Sequence, residues 1–275
     1  MILNNDSKSK RYVCIMGSGQ KGYYTYGMGY VFNHLIKNNI KGYYTSSSGC
    51  LIAIFIANGN VPNGSHFYTK VKERYDQLIQ NKQNVNIGKI YIDLANELLP
   101  DDIHIICNNN NVNIIATQIT YFGIKKVIFN NFSSKRHLLN CVRASMAIPF
   151  ITEQKFPFLY YFNQNYYLDG YLSGLPYCDT DDEQIVIRNH LLKYNLFNTF
   201  FPVDDNMEHL LIKGHNDITD AVIHNQPVEL ITFEKNYNTN KTTRYNKMKQ
   251  DIIIALISIV FITPFFICQR WSKTE

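Results

Sequence analysis

The sequence predicts an α/β domain with a mostly parallel central sheet and covering helices. Two short apolar runs, Tyr12 to Met16 and Ile40 to Thr45, each end in a turn rich in glycine or serine. Each turn is followed by a helical or buried apolar segment. Strand, turn, helix, strand, turn, helix is the order from which parallel sheets are made.

Tyr12 to Met16 reads as a buried strand that feeds a glycine turn. After Gly22, residues Tyr26, Tyr30, Val31, His34 and Leu35 recur at helical spacing until Asn38 and Asn39 stop the pattern. Ile40 to Thr45 is the second strand, and Gly49 to Ala57 a buried helix. A polar helix is expected over His66 to Gln80, and a shorter one over Ile92 to Leu99, closed by Pro100. Val112 to Thr120 and Lys126 to Asn130 read as strands, with Phe122 and Gly123 in the turn between them. Ser133 to Ala144 carries a helical pattern with a serine near its start. Tyr166 to Leu168 and Gln184 to Ile187 are further strands. Beyond Asn189 only a helix near Ile218 to His224 is expected.

At 275 residues, 45% hydrophobic and 18% charged, the chain has material for one substantial core. The net charge of +5 is spread without a run of like charges, so nucleic-acid binding has no support, while weak attraction to anionic membranes is compatible with it. The six cysteines lie far apart without metal-ligand spacing, which fits reduced, buried thiols.

Ile252 to Cys268 is a run of seventeen residues without a charge. At about 1.5 Å per residue such a helix spans roughly 26 Å, close to a hydrocarbon core of about 30 Å. Arg244, Lys247 and Lys249 precede it, and Arg270, Trp271 and Lys273 follow. Residues 1–11 are therefore expected to be a polar tail, 12–235 the folded domain, 236–250 a polar basic linker, 251–269 a transmembrane tail anchor and 270–275 a short tail. The charge distribution would leave the domain on the cytosolic side.

Two turns carry the chemistry. In Thr45-Ser46-Ser47-Ser48-Gly49, a strand must reverse into a helix, the setting in which a nucleophile elbow lifts a serine hydroxyl above a sheet edge. Only Ser47 has a glycine two residues later, and Thr45 stands where G-x-S-x-G has its first glycine. The preceding turn, Gly17-Ser18-Gly19-Gln20-Lys21-Gly22, can aim backbone N–H groups at an anion. It matches G-x-G-x-x-G, but the next strand ends in the serine turn and not in an acidic residue, so a dinucleotide site is disfavoured. The third element, Asp169-Gly170, directly follows a strand.

These residues, in this order, resemble the patatin-like phospholipases: G-x-G-x-K-G at 17–22, the serine turn at 45–49, Ala144-Ser145-Met146-Ala147-Ile148-Pro149 and Asp169-Gly170. Leu98 to His104, Asn131-Phe132 and Ser145 to Phe150 look more particularly like the adiponutrin and adipose triglyceride lipase branch. The resemblance covers about residues 12–180. It implies a three-layer α/β/α sandwich and a Ser-Asp dyad, with Ser47 as nucleophile and Asp169 as base. It also implies an oxyanion hole from Gly17 to Gly22 and a supporting segment containing Ser145 and Pro149. Thr45 and Gly49 would shape the elbow, and Gly170 and Tyr171 would follow the base, with Tyr171 where the family has a small residue. The implied substrate is a phospholipid or acylglycerol, and no cofactor or metal is called for. The aromatic residues Tyr23, Tyr24, Tyr167 and Tyr171 are expected to keep the site dry.

Two alternatives stand beside this reading. A Ser-His-Asp triad would recruit His190, His209, His215 or His224. A membrane-tethered lipid-binding protein would keep the fold without turnover.

Overall fold

The computed structural model describes residues 11–17, 19, 22–32, 37–59, 61–155, 157–174, 178, 183–187, 207–222, 224, 228 and 231–234. The linker, the tail anchor and both tails expected from the sequence lie outside the described residues, except for Arg11. Among the described residues no helix is long and apolar enough to cross a membrane.

The chain opens with strand β1 (Arg11–Ile15), helix α1 (Gly22–Val31), β2 (Ile40–Ser46) and α2 (Gly49–Ala57). Helix α2 is GCLIAIFIA, apolar around its whole circumference, and every one of its residues is buried. It is followed by α3 (Val61–Gln80), α4 (Ile87–Leu98) and α5 (Ile103–Asn109). Helix α3 starts five residues earlier than expected, because Pro62 sits in the first turn, where no amide hydrogen is needed. Helix α4 also starts early, because Asn86 caps it by accepting from the Lys89 amide. Helix α5 was not expected, its seven residues being too few to show a period.

Strands β3 (Val112–Thr120) and β4 (Gly123–Phe129) form a hairpin that turns at Tyr121 and Phe122, so β4 begins before Lys126. Helix α6 (Lys135–Ser145) is capped by the Ser134 hydroxyl. A second hairpin, β5 (Tyr160–Phe162) and β6 (Asn165–Leu168), turns through Asn163 and Gln164, both at positive φ as a tight hairpin turn requires. Strand β7 (Gln184–Ile187), helix α7 (Met207–Val222) and β8 (Ile231–Glu234) complete the description. Helix α7 starts well before Ile218 and stops short of His224. Strands β5, only three residues long, and β8 were not expected from the sequence.

The strands form one sheet in the order β5-β6-β3-β2-β1-β7-β8, with β4 also on β3. The expectation of a mostly parallel sheet is corrected here: the sheet is mixed. β1 is parallel to β2 and β7, and β2 to β3, but β3·β4, β3·β6, β5·β6 and β7·β8 are antiparallel. Two-residue turns can only join antiparallel neighbours, and both hairpins have them.

One feature of β3 positions the site. β4 covers one edge of it from Ile114 to Thr120. The other edge is shared: β2 pairs with Val112 to Ile115, and β6 with Thr117 to Ile119. Where β2 ends and the chain turns at Ser47, β6 takes over the vacated edge.

Candidate active site

Ser47 directly follows Ser46, the last residue of β2, and sits at φ 55°, the left-handed region that side-chain-bearing residues rarely occupy. Such strain, on the order of 1–3 kcal/mol, persists only where surrounding contacts over-determine it. Those contacts are on both sides of the turn. The Ser47 amide donates to Ser145 Oγ at 2.8 Å, and the Cys50 amide donates to the Ser47 carbonyl at 3.0 Å, closing the turn into α2. Ser145, fully buried at the end of α6, donates in turn to the Ile115 carbonyl at 2.5 Å and receives the Cys50 thiol at 3.3 Å. It ties the serine turn to β3, the strand alongside.

Gly17 supplies the free space in front of Ser47. A Cβ at position 17 would stand 2.2 Å from Ser47 Cβ and 2.9 Å from its Oγ. Only glycine permits this approach. Thr45, where the elbow pattern has glycine, is an ordinary extended residue of β2, fully buried and paired with Ile15 and Ile114. A β-branched side chain suits that backbone, so the departure from the pattern leaves the turn intact. Gly49 starts α2, close under the Ile15 carbonyl.

Asp169 follows Leu168 at the end of β6, and all but one of its polar atoms are engaged. Its amide donates to the Ala147 carbonyl at 2.8 Å, its carbonyl accepts from Thr117 Oγ1 at 2.8 Å, and Oδ1 accepts from the Tyr171 amide at 2.9 Å. Oδ2 is buried without a hydrogen-bond partner among the described residues. Burial pushes the carboxyl up from 3.8 to about 6, opposed by the nearby Ser47 hydroxyl and the Tyr171 amide. The hydroxyl is thus close enough to favour the carboxylate without a fully formed hydrogen bond, an arrangement frequent in ligand-free sites. Gly170 brings this turn onto β3: a Cβ there would lie 2.0 Å from the Ile115 carbonyl.

Ser47 and Asp169 line the same cavity of about 170 Å³. Gly17 and Gly19 form its glycine side, and Ala147, Ile148, Pro149, Tyr171 and Leu172 give it an apolar wall. The sequence singled out Pro149 and Tyr171 but missed Ala147, Ile148 and Leu172. The first two lie inside the Ala144 to Pro149 motif and the third directly after Tyr171, so proximity to motifs was the available signal.

Other expectations fall elsewhere. Ser18, Gln20 and Lys21 lie outside the described residues. Gly22 begins α1 against Tyr68 and Ile52, away from the cavity lining. Of the four tyrosines expected around the site, only Tyr171 lines it. Tyr23 packs on Tyr68, Tyr24 donates to Asp217, and Tyr167 packs on Phe129. Among the described residues no histidine lines the cavity: His209 and His224 are exposed, His215 lies on α7, and His190 is not described. Cys14, Cys50, Cys107, Cys141 and Cys178 are buried, and Cys268 lies outside the described residues. Among the described residues no cluster of three or more His, Cys, Asp or Glu side chains is arranged to hold a metal ion.

A serine on a strained strand-to-helix turn and a buried carboxylate thus line one apolar cavity at a sheet edge of an α/β fold. Residues 13–177, more than half of the 275, match the family model for patatin-like phospholipase, and the chain belongs to that family. No curated protein matches the sequence. Members of the family are in general lipid hydrolases, and the domain points to lipid acyl hydrolysis.

Proposed function

We propose that the protein hydrolyses fatty-acyl esters of phospholipids or acylglycerols through a Ser47-Asp169 dyad. What supports this reading is that a strained Ser47 and a buried Asp169, whose Oδ2 has no hydrogen-bond partner among the described residues, line the same cavity. Asp169 takes the Ser47 proton as Oγ attacks the ester carbonyl. Backbone amides of the Gly17 to Gly22 turn hold the oxyanion, and the alcohol portion leaves with the proton. Water, activated by the same carboxylate, then releases the fatty acid from the acyl-serine. A carboxylate of ordinary pKa is a poor base for a hydroxyl, and the shift of Asp169 to about 6 brings it nearer the working range.

The apolar wall of the cavity supports an acyl chain as the group accommodated. The motifs at 98–104, 131–132 and 145–150 support the adiponutrin and adipose triglyceride lipase branch, with the three-layer sandwich of the family. The apolar run at 252–268 supports a tail anchor that leaves the domain facing the cytosol.

The test is covalent labelling of the full chain with a fluorophosphonate serine probe, alongside fatty-acid release from mixed lipid vesicles. Labelling and release that both vanish in Ser47→Ala are expected. A wild-type chain that neither labels nor releases fatty acid overturns the reading in favour of lipid binding without turnover.

A further inference from the structure

β1, β2 and β3 are parallel, so the Gly17 turn, the Ser47 turn and the β3–β4 hairpin tip all lie at one end of the sheet. β6 is antiparallel to β3, which brings the β5–β6 turn to the same end. Ser46 is level with Ile115, so Thr120 extends about 17 Å past the serine turn at ~3.4 Å per residue.

This projecting end carries four of the eight exposed large hydrophobic side chains among the described residues. Tyr121 and Phe122, at the tip, are each 96% exposed and stand edge to face with centroids 5.2 Å apart. Behind them a row crosses four strands on one face: Tyr161 pairs with Tyr166, Tyr166 with Ile119, and Ile119 with Ile124. Cross-strand partners share a face, and the contact of the Tyr161 and Tyr166 rings at 5.0 Å bears this out. Tyr161 and Tyr166 are 58% and 41% exposed. The opposite face, with Tyr160, Phe162 and Tyr167, is by contrast packed against Phe129 and α6. Tyr166 is three extended residues from Asp169, about 10 Å along β6.

Charge supplies the second, independent observation. The two hairpins that build this end, residues 112–130 and 160–168, carry Lys125 and Lys126 as their only charged residues and hold no acid. Lys125, three residues from the tip, is exposed. Aromatic rings with polar edges, on hairpins that carry two lysines and no acid, match the interfacial zone of an anionic bilayer.

We propose that the Tyr121–Phe122 tip and the Tyr161–Tyr166–Ile119–Ile124 row dock on an anionic lipid surface and hold the Ser47 cavity toward it. This rests on the acyl-hydrolase reading only for its purpose, since the docking is read separately. Interfacial rings at that depth gain from the headgroup region on both their apolar and their polar atoms.

The experiment uses the full chain, whose only tryptophan is Trp271. In a Trp271→Phe, Ser47→Ala background, a reporter is placed by Phe122→Trp, and a control reporter by Ile79→Trp at an exposed site on α3. Vesicles containing brominated phosphatidylglycerol are expected to quench the reporter at 122 and not the one at 79, the quenching weakening as salt is raised. Because the reporter reads local depth, a membrane-bound tail does not produce the signal. With Ser47 intact, Tyr121→Ser/Phe122→Ser is expected to lower vesicle-lipid hydrolysis about tenfold while hydrolysis of a soluble short-chain ester is unchanged. No quenching at 122, equal quenching at 79, or quenching indifferent to lipid charge and salt overturns the proposal. So does a change of oligomeric state in the serine variant, which would assign the surface to a second copy of the chain. If the wild type cleaves neither ester but the reporter at 122 is quenched, docking stands and the hydrolase reading falls.

Discussion

Ser47 hangs from a parallel β-α-β unit whose pieces are near neighbours in sequence, whereas Asp169 arrives on an antiparallel strand and anchors its carbonyl to Thr117, 52 residues earlier. The serine side is held by crowding, with Gly17 in front and the start of α2 behind a left-handed backbone at φ 55°. The aspartate side is held by hydrogen bonds to Ala147, Thr117 and Tyr171. Ser145 joins the two, accepting from the Ser47 amide while bonded to Ile115, the residue over which Gly170 also lies. A site made this way has one half that is sensitive to added volume and one half sensitive to lost polar partners.

The largest effects should come from the two reacting groups. Ser47→Ala is expected to abolish probe labelling and fatty-acid release, and Asp169→Asn to lower turnover by about 10²–10⁴-fold, the range of a positioned base. Both variants should remain folded by circular dichroism. If Asp169→Asn retained near-wild-type turnover, the base would have to be sought elsewhere.

Added volume comes next. Gly17→Ala puts a methyl 2.2 Å from Ser47 Cβ, so the turn must shift. A displacement near 1 Å at a reacting group costs about 10²-fold, and turnover should fall by that order, with a much smaller change in melting temperature. The reverse outcome, a destabilised but fully active enzyme, would show that the Gly17 turn is not part of the reacting surface.

Lost polar partners should have a milder effect on rate and a larger one on stability. Ser145→Ala leaves the Ser47 amide and the Ile115 carbonyl without their buried partner, at a cost of about 1–3 kcal/mol measurable by denaturant unfolding. Turnover should drop about tenfold as the turn loosens. Ser145→Thr, which keeps the hydroxyl, would recover part of the rate if position and not bulk is what matters.

The smallest change in rate concerns pH. The Asp169 carboxyl is raised from 3.8 to about 6, so the fold prefers its protonated form. The stability that preference contributes is complete below about 3.8 and is lost as pH rises through about 6, by an amount on the order of 3 kcal/mol. Catalysis needs the ionised form, so kcat should rise with pH through a midpoint near 6 while this part of the stability falls. Asp169→Asn should remove the stability trend over that window. A pH-rate profile flat between 5 and 7 would contradict the assignment of the base.

Much of the first half was legible. The runs ending at Met16 and Thr45 and the uniformly apolar α2 have strong local signals, and β1, β2 and α2 lie where those signals put them. Ser47 was identifiable because, of the three serines in a turn between a buried strand and a buried helix, it alone has a glycine two residues later. Thr45 looked like a defect only because a pattern was being matched; in place it is a strand residue with a strand residue's preference. The parallel character was overstated because pairing direction depends on which strands meet. β6 shows no local sign that it will continue the edge that β2 abandons. The tyrosines near the glycine turn were misplaced for a similar reason: α1 carries Tyr23 and Tyr24 to other helices, Tyr68 on α3 and Asp217 on α7.

The sequence by itself determined the family, the α/β class, the serine turn with its glycine partner, and the aspartate that ends a strand, because each is written in local spacing that needs no distant contact. The tertiary structure alone decided that the sheet is mixed, that Ser47 and Asp169 line one cavity, and that Ser145 couples the two halves. Those follow from the sharing of one edge of β3 between two strands, a competition for backbone hydrogen bonds settled only when the whole sheet is assembled.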